Sequence, residues 1–128
     1  MGSAEDAVVR VKRAKAEEFQ FLASLAVGQY HDAAASLAAS AAINASDALI
    51  VHKGGAIPNR QDHQAAVKIL RRLVDGRAAG HLAGALRMKS KSQYSATHCT
   101  DKEAHDAVLH SGRLLDCMRE EVSDSGSD

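Results

Sequence analysis

Apolar and polar positions along the chain alternate at helical rather than strand spacing, and punctuation divides them into five segments. The first is expected over about Ala4–Ala26. There Ala7, Val11, Ala14, Phe21 and Leu25 recur at steps of three, four and seven, Val8 and Leu22 widen the stripe, and Gly28 ends it. The second, about Gln29–His52, places Tyr30, Ala34, Leu37, Ala41, Ala45, Ala48 and His52 on one face. A polar line of Asp32, Ser36, Ser40, Asn44 and Asp47 lies beside it. Alanine around most of its girth predicts a central helix that neighbours approach closely. Residues 53–59 read as a loop through Gly54, Gly55 and Pro58. The third helix is expected over Asp62–Val74, with Ala66, Ile69, Leu70 and Leu73 inward and Lys68, Arg71 and Arg72 outward; Asp75-Gly76 reads as its stop. The fourth is expected over Ala78–Ser95. Thr100 and Glu103 form a capping box for the fifth, which carries Ala104, Val108, Ser111, Leu115, Met118 and Val122 on one face. The acidic tail, 123–128, is expected to be disordered, leaving 1–122 as a single domain. Short connections between long helices predict an all-α, up-and-down bundle.

Composition sharpens this picture. About one residue in five of the 128 is Ala, there is a single Pro, and aromatics make up 3%, which excludes a β-sandwich or barrel. The residues have no run of about 18 apolar positions, so no membrane span is expected. The start MGSAEDAVVRVKR has no signal-peptide pattern. Cys99 and Cys117 have no CxxC partner and are expected as free thiols. A short Ala-rich bundle buries little area per residue, so dimerisation is expected.

Sixteen basic residues balance sixteen acidic ones. That excludes a uniformly basic nucleic-acid coat. The balance hides segregation: residues 53–91 hold nine basic and two acidic residues, and residues 101–128 hold three and eight. Two readings stand: neutralisation between adjacent helices, or a local basic surface suited to phosphate. In the fourth segment Arg87, Lys91, Tyr94 and His98 follow one another at steps of four, three and four, with Lys89 between. On a continuous helix they share a face. A guanidinium there grips phosphate bidentately, Lys91 and Lys89 add point charges, and the phenol stacks or hydrogen-bonds. The same spacing also suits a solvated basic face. Gly80 and Gly84 precede Arg87 on nearly the same line, where small residues let another helix come close.

The ordered set Gly28-Gln29-Tyr30, Ala41-Ala42-Ile43-Asn44-Ala45-Ser46-Asp47-Ala48-Leu49, His52, Gly54-Gly55, Asp62-His63, then Arg87, Lys91 and Tyr94 resembles prokaryotic HEPN-domain proteins over about residues 5–122. The resemblance implies an up-and-down four-helix bundle with an additional shorter helix. It also implies a bacterial, cytoplasmic homodimer with the cleft around Arg87 at its interface, and a relationship to ribonucleases of toxin–antitoxin and defence loci. The partners it implies are RNA or a nucleotide, and a cognate nucleotidyltransferase or other antitoxin; it implies no cofactor and no metal. The family's motif is Arg, four to six residues, His, any residue and Tyr. On this chain Arg87 and Tyr94 match, and Ser92 stands where the His belongs. Tyr94 is the position such a partner would nucleotidylate. By the same resemblance Asp47 of the second helix orients Arg87; an ordinary buried polar residue is the other reading of it. Without the imidazole there is no group to take the 2′-hydroxyl proton, so weak or absent metal-independent endoribonuclease activity is expected. Arg77 to His81 and Arg87 to His98 have the wrong spacing. A non-enzymatic homodimeric interaction module is the alternative.

Other chemistries fit less well. His81 suggests a phosphotransfer helix, but Ala83 and Gly84 stand where a phosphate-holding Lys would follow. No Glu-x-x-His pair exists for a di-iron site. Asp101, His105 and His98 make only a thin metal set, and Lys53-Gly54-Gly55 lacks the spacing of a P-loop.

Overall fold

The computed structural model describes residues 3–59 and 62–126, apart from the side chains of residues 3 and 123–126. It is all-helical, 81% helix, with no strand among the described residues. The elements are α1 (Ser3–Ala26), α2 (His31–His52), α3 (His63–Leu73), α4 (Gly76–Leu86), α5 (Lys89–Tyr94) and α6 (Asp101–Gly126). Helix α2 lies at the centre, against α1 on one side and α6 on another; α4 packs on α6, and α3 on α4.

Alanine explains this arrangement. Ala34, Ala35, Ala38, Ala39, Ala41, Ala42, Ala45 and Ala48 are all fully buried, so α2 is enclosed around most of its circumference. A surface of methyl groups admits a neighbour only at short range. Helix α1 accordingly meets it with small residues: Val9, Ala16, Ala23 and Ala26 are the buried positions. The expected stripe of Val11, Phe21 and Leu25 faces solvent instead, at 52%, 64% and 60% exposure. The bulkier stripe is not the core stripe, because large side chains would hold α1 too far from α2. The larger apolar residues, Leu49, Ile50, Leu70, Leu82, Leu114, Leu115 and Met118, fill the core where α2, α3, α4 and α6 converge.

Helix ends follow local chemistry. At the end of α2, Gly54 takes φ +86. Gly54 N–H donates to Val51 O and Gly55 N–H to Ile50 O, a Schellman close that needs a residue tolerant of the left-handed region. A side chain on Gly55 would meet Leu73 Cδ1 at 2.7 Å. Asp62 caps α3 by accepting from Ala65 N–H at 2.9 Å. Asp75, expected as a stop, caps α4 by accepting from Ala78 N–H at 2.8 Å; the Asp that follows one helix starts the next. The Thr100–Glu103 capping box forms reciprocally, at 2.9 and 3.1 Å.

Two expectations are corrected and a third is qualified. The expected helix over 78–95 is two helices, because the chain turns at Met88 (φ −98, ψ 7). Like charges at Arg87, Lys89 and Lys91 and serines at 90 and 92 weaken helix there. The tail expected to be disordered continues as helix through Gly126, since neither Pro nor Gly falls between Arg113 and Ser125; residues 127–128 lie outside the described residues. Finally, α2 is long and apolar enough by length and composition alone to cross a membrane, but 67% of its most apolar 18-residue stretch is buried inside the bundle. Its apolarity is used internally.

Candidate functional site

Arg87 closes α4, where its N–H makes a long contact of 3.4 Å with Gly84 O. The break after it separates the residues that a continuous helix would have aligned. Lys91 turns to α6, with its Nζ 2.9 Å from Glu103 Oε1, and this ion pair raises the lysine's pKa. Glu103 is lowered by its bond from the Thr100 amide and then by Lys91. Ser92 Oγ donates to Lys89 O at 2.8 Å, so its hydroxyl proton is committed to α5's own backbone. Tyr94 is 79% exposed. The neighbouring Gln93 donates to Ser36 Oγ at 2.9 Å, tying α5 to α2.

His98 serves a different purpose. Its Nδ1 lies 2.5 Å from Asp32 Oδ2, while Asp32 Oδ1 accepts from Cys99 N–H at 2.8 Å. The Cys99 amide first, and then His98, hold the Asp32 carboxyl down to about 2. Asp32 therefore pins the start of α2 to the strap before α6. Asp101 lies 3.3 Å from His105 and 3.7 Å from His31, so the thin metal set is divided between two neighbourhoods. Among the described residues no three His, Cys, Asp or Glu gather as a metal site.

Asp47 is buried, and its ion pair is with Lys12 of α1, at 3.0 Å. A small cavity beside it, about 30 Å³, is lined by Ser46, Asp47, Ile57, Asn59, Asp62 and Leu82, among others. The buried Ser46 hydroxyl has no partner among the described residues. A cavity of this size has room for one water.

Arg87 instead opens onto a groove of about 380 Å³ between α3 and α4. Its lining is His63, Gln64, Val67, Lys68, Arg71, Ala83, Leu86 and Arg87. Lys68 and Arg71 are one turn apart on α3's outer face, and Arg87 reaches the same space from the end of α4. Among the described residues no carboxylate lines this groove. His63, for which sequence offered no role, stands at its wall. Burial first, then the charge of Lys89, lowers its pKa, so the imidazole is neutral at neutral pH, with an apolar floor of Val67 and Leu86 nearby. The sequence signal was present in the outward cations of the third segment. Only the packing of α3 on α4 shows that they share a cleft with Arg87.

A second histidine cluster lies at the α4–α6 contact. His81 Nδ1 and His110 Nδ1 are 3.1 Å apart, with ring centroids at 5.4 Å. Burial, His110 and Arg77 lower the pKa of His81. Gly84 leaves room for the His110 ring, which sits where a Cβ would be, 2.5 Å from the nearest ring carbon. The expectation of a close approach at the glycine pair thus holds at Gly84. Gly80 is exposed and a Cβ there meets nothing within 4 Å.

No protein-family model matches the chain, and no curated protein matches it significantly.

Proposed function

We propose that this chain is a catalytically degenerate HEPN-like protein whose α3–α4 groove holds the phosphates of RNA or a nucleotide. In this reading α1, α2, α4 with its continuation α5, and α6 form an up-and-down four-helix bundle, with α3 as the additional shorter helix, in a bacterial cytoplasm. One observation supports it most: Lys68, Arg71 and Arg87 converge on a groove of about 380 Å³ that no carboxylate among the described residues lines. Two guanidiniums offer bidentate grips on phosphate oxygens. Val67 and Leu86 give a base or sugar an apolar floor, and the neutral His63 imidazole offers it a stacking or hydrogen-bonding face.

Cleavage is expected to be weak or absent. Ser92 supplies no base, since its hydroxyl donates to Lys89 O. The test is fluorescence anisotropy with a short single-stranded RNA. Arg71→Ala and Arg87→Ala are each expected to weaken binding about tenfold, the worth of one charge-assisted contact. Tyr94→Phe is expected to leave it unchanged. No binding by the wild type, or binding indifferent to both arginines, refutes the reading. Cleavage abolished by His63→Ala would replace it with a catalytic one.

A second reading, a protein-interaction module, is favoured by the apolar residues that α1 turns to solvent.

A further inference from the structure

The outward face of α1 is ordered. Ala4, Ala7, Val11, Ala14, Glu18, Phe21 and Leu25 follow at alternating steps of three and four, the seam of a heptad repeat. The buried face of the same helix runs through Val9, Ala16 and Ala23, so the seam points away from the bundle. Val8 and Leu22, at 39% and 41% exposure, lie along one flank of it.

The seam is asymmetric in size. Its first half is small or short (Ala4, Ala7, Val11, Ala14), and its second half carries Phe21 and Leu25. A helix of this kind complements itself when two copies run antiparallel. With the two-fold axis passing at residue 16, Leu25 of one copy falls opposite Ala7 of the other, Phe21 opposite Val11, and Ala14 opposite Glu18. The seam positions from Ala7 to Leu25 are then all paired, and the two bulkiest, Phe21 and Leu25, fall against the smaller Val11 and Ala7. On the flank, Val8 falls near Leu22 of the second copy, which accounts for both being exposed. Glu18, the one charge in the seam, lies within reach of Lys15 of the second copy. Shifting the register by one heptad in either direction leaves Leu25 or Ala7 without a counterpart.

We propose that α1 is a homodimer interface, in which a second copy of this chain packs antiparallel along the Val11–Phe21–Leu25 seam. The inference deepens the interaction-module reading by naming the partner. It differs from the arrangement the family resemblance implies, because α1 packs on α2 and α6, whereas the groove lies between α3 and α4. The dimer therefore leaves both grooves open. The 24 residues of α1 make a helix about 36 Å long. A stable interface buries about 1,200 Å² or more in total, so the flanking Val8 and Leu22 are covered along with the seam. The contact involves no backbone rearrangement, only desolvation of side chains already exposed.

Sedimentation velocity over a range of concentrations tests this directly. The wild type is expected to be dimeric, and Phe21→Glu and Leu25→Glu monomeric with unchanged circular dichroism and melting. Register is tested by cysteine pairs, since Cys99 and Cys117 are buried. Val11→Cys with Phe21→Cys is expected to cross-link into covalent dimers, and Val11→Cys alone is not. A monomeric wild type, a dimer indifferent to Phe21→Glu, or cross-linking by Val11→Cys alone each overturns the proposal. Each of these outcomes leaves the RNA measurement on the groove independent.

Discussion

Gly84 and Gly80 are one turn apart on α4, yet the same substitution is expected to have opposite effects at the two. An alanine methyl at Gly84 would lie 2.5, 2.6 and 2.8 Å from Cδ2, Cγ and Nδ1 of His110. These atoms include the root of the ring, so a small rotation of its tip does not clear the contact. Overpacking of this kind costs about 1–3 kcal/mol. Displacing the ring also breaks the His81–His110 hydrogen bond, worth about 1 kcal/mol. Against this, Ala in a helix interior gains about 1 kcal/mol over Gly. The expected net effect of Gly84→Ala is destabilisation of about 1–3 kcal/mol. At Gly80, where nothing lies within 4 Å, only the propensity gain remains, and Gly80→Ala is expected to stabilise by about 1 kcal/mol. Urea denaturation followed by circular dichroism measures both. In a His110→Ala background the obstruction is gone, and Gly84→Ala should become stabilising. If Gly84→Ala stabilises the wild-type background as Gly80→Ala does, the close approach of α4 and α6 at the His110 ring is wrong.

Two further outcomes follow from charges and burial. The Asp32 carboxyl is held at about 2 in the folded chain, against an ordinary value of 3.8. A depressed carboxyl stabilises the fold above its unfolded value and loses that contribution as pH falls through the folded one. Acid unfolding between about pH 4 and 2 should therefore be less steep in Asp32→Asn, and a carboxyl titration by NMR should place Asp32 near 2; a midpoint near 4 contradicts the clamp to Cys99 and His98. Burial raises the Cys99 thiol to about 11 and the Cys117 thiol in the same direction. Neither should react with a thiol reagent at pH 8 until denaturant is added, and rapid labelling of the native protein contradicts their burial.

What the sequence revealed divides along physical lines. The alanine density of α2 was readable as centrality, because a helix small on all sides has only close neighbours to offer. The Thr100–Glu103 box was readable because both partners lie within one turn. The inward face of α1 was not readable: the segment carries two stripes, and the one chosen depends on how closely α2 lets it approach. The break at Met88 has no Pro or Gly to announce it. It separates Lys91 and Tyr94 from the helical line of Arg87 and sends Lys91 to Glu103. The groove escaped for a different reason, since Lys68 and Arg71 meet Arg87 only through the packing of α3 on α4. His98 and Asp32, 66 residues apart, were likewise joined only by the fold.

The proposed binding of phosphate in the α3–α4 groove is tested most directly by the salt dependence of RNA affinity. Three cations engaging a single strand predict a slope of log K against log salt of about −2, and Arg87→Ala should make it shallower by about 0.7. A wild-type slope near zero, or one that Arg87→Ala leaves unchanged, would contradict the account.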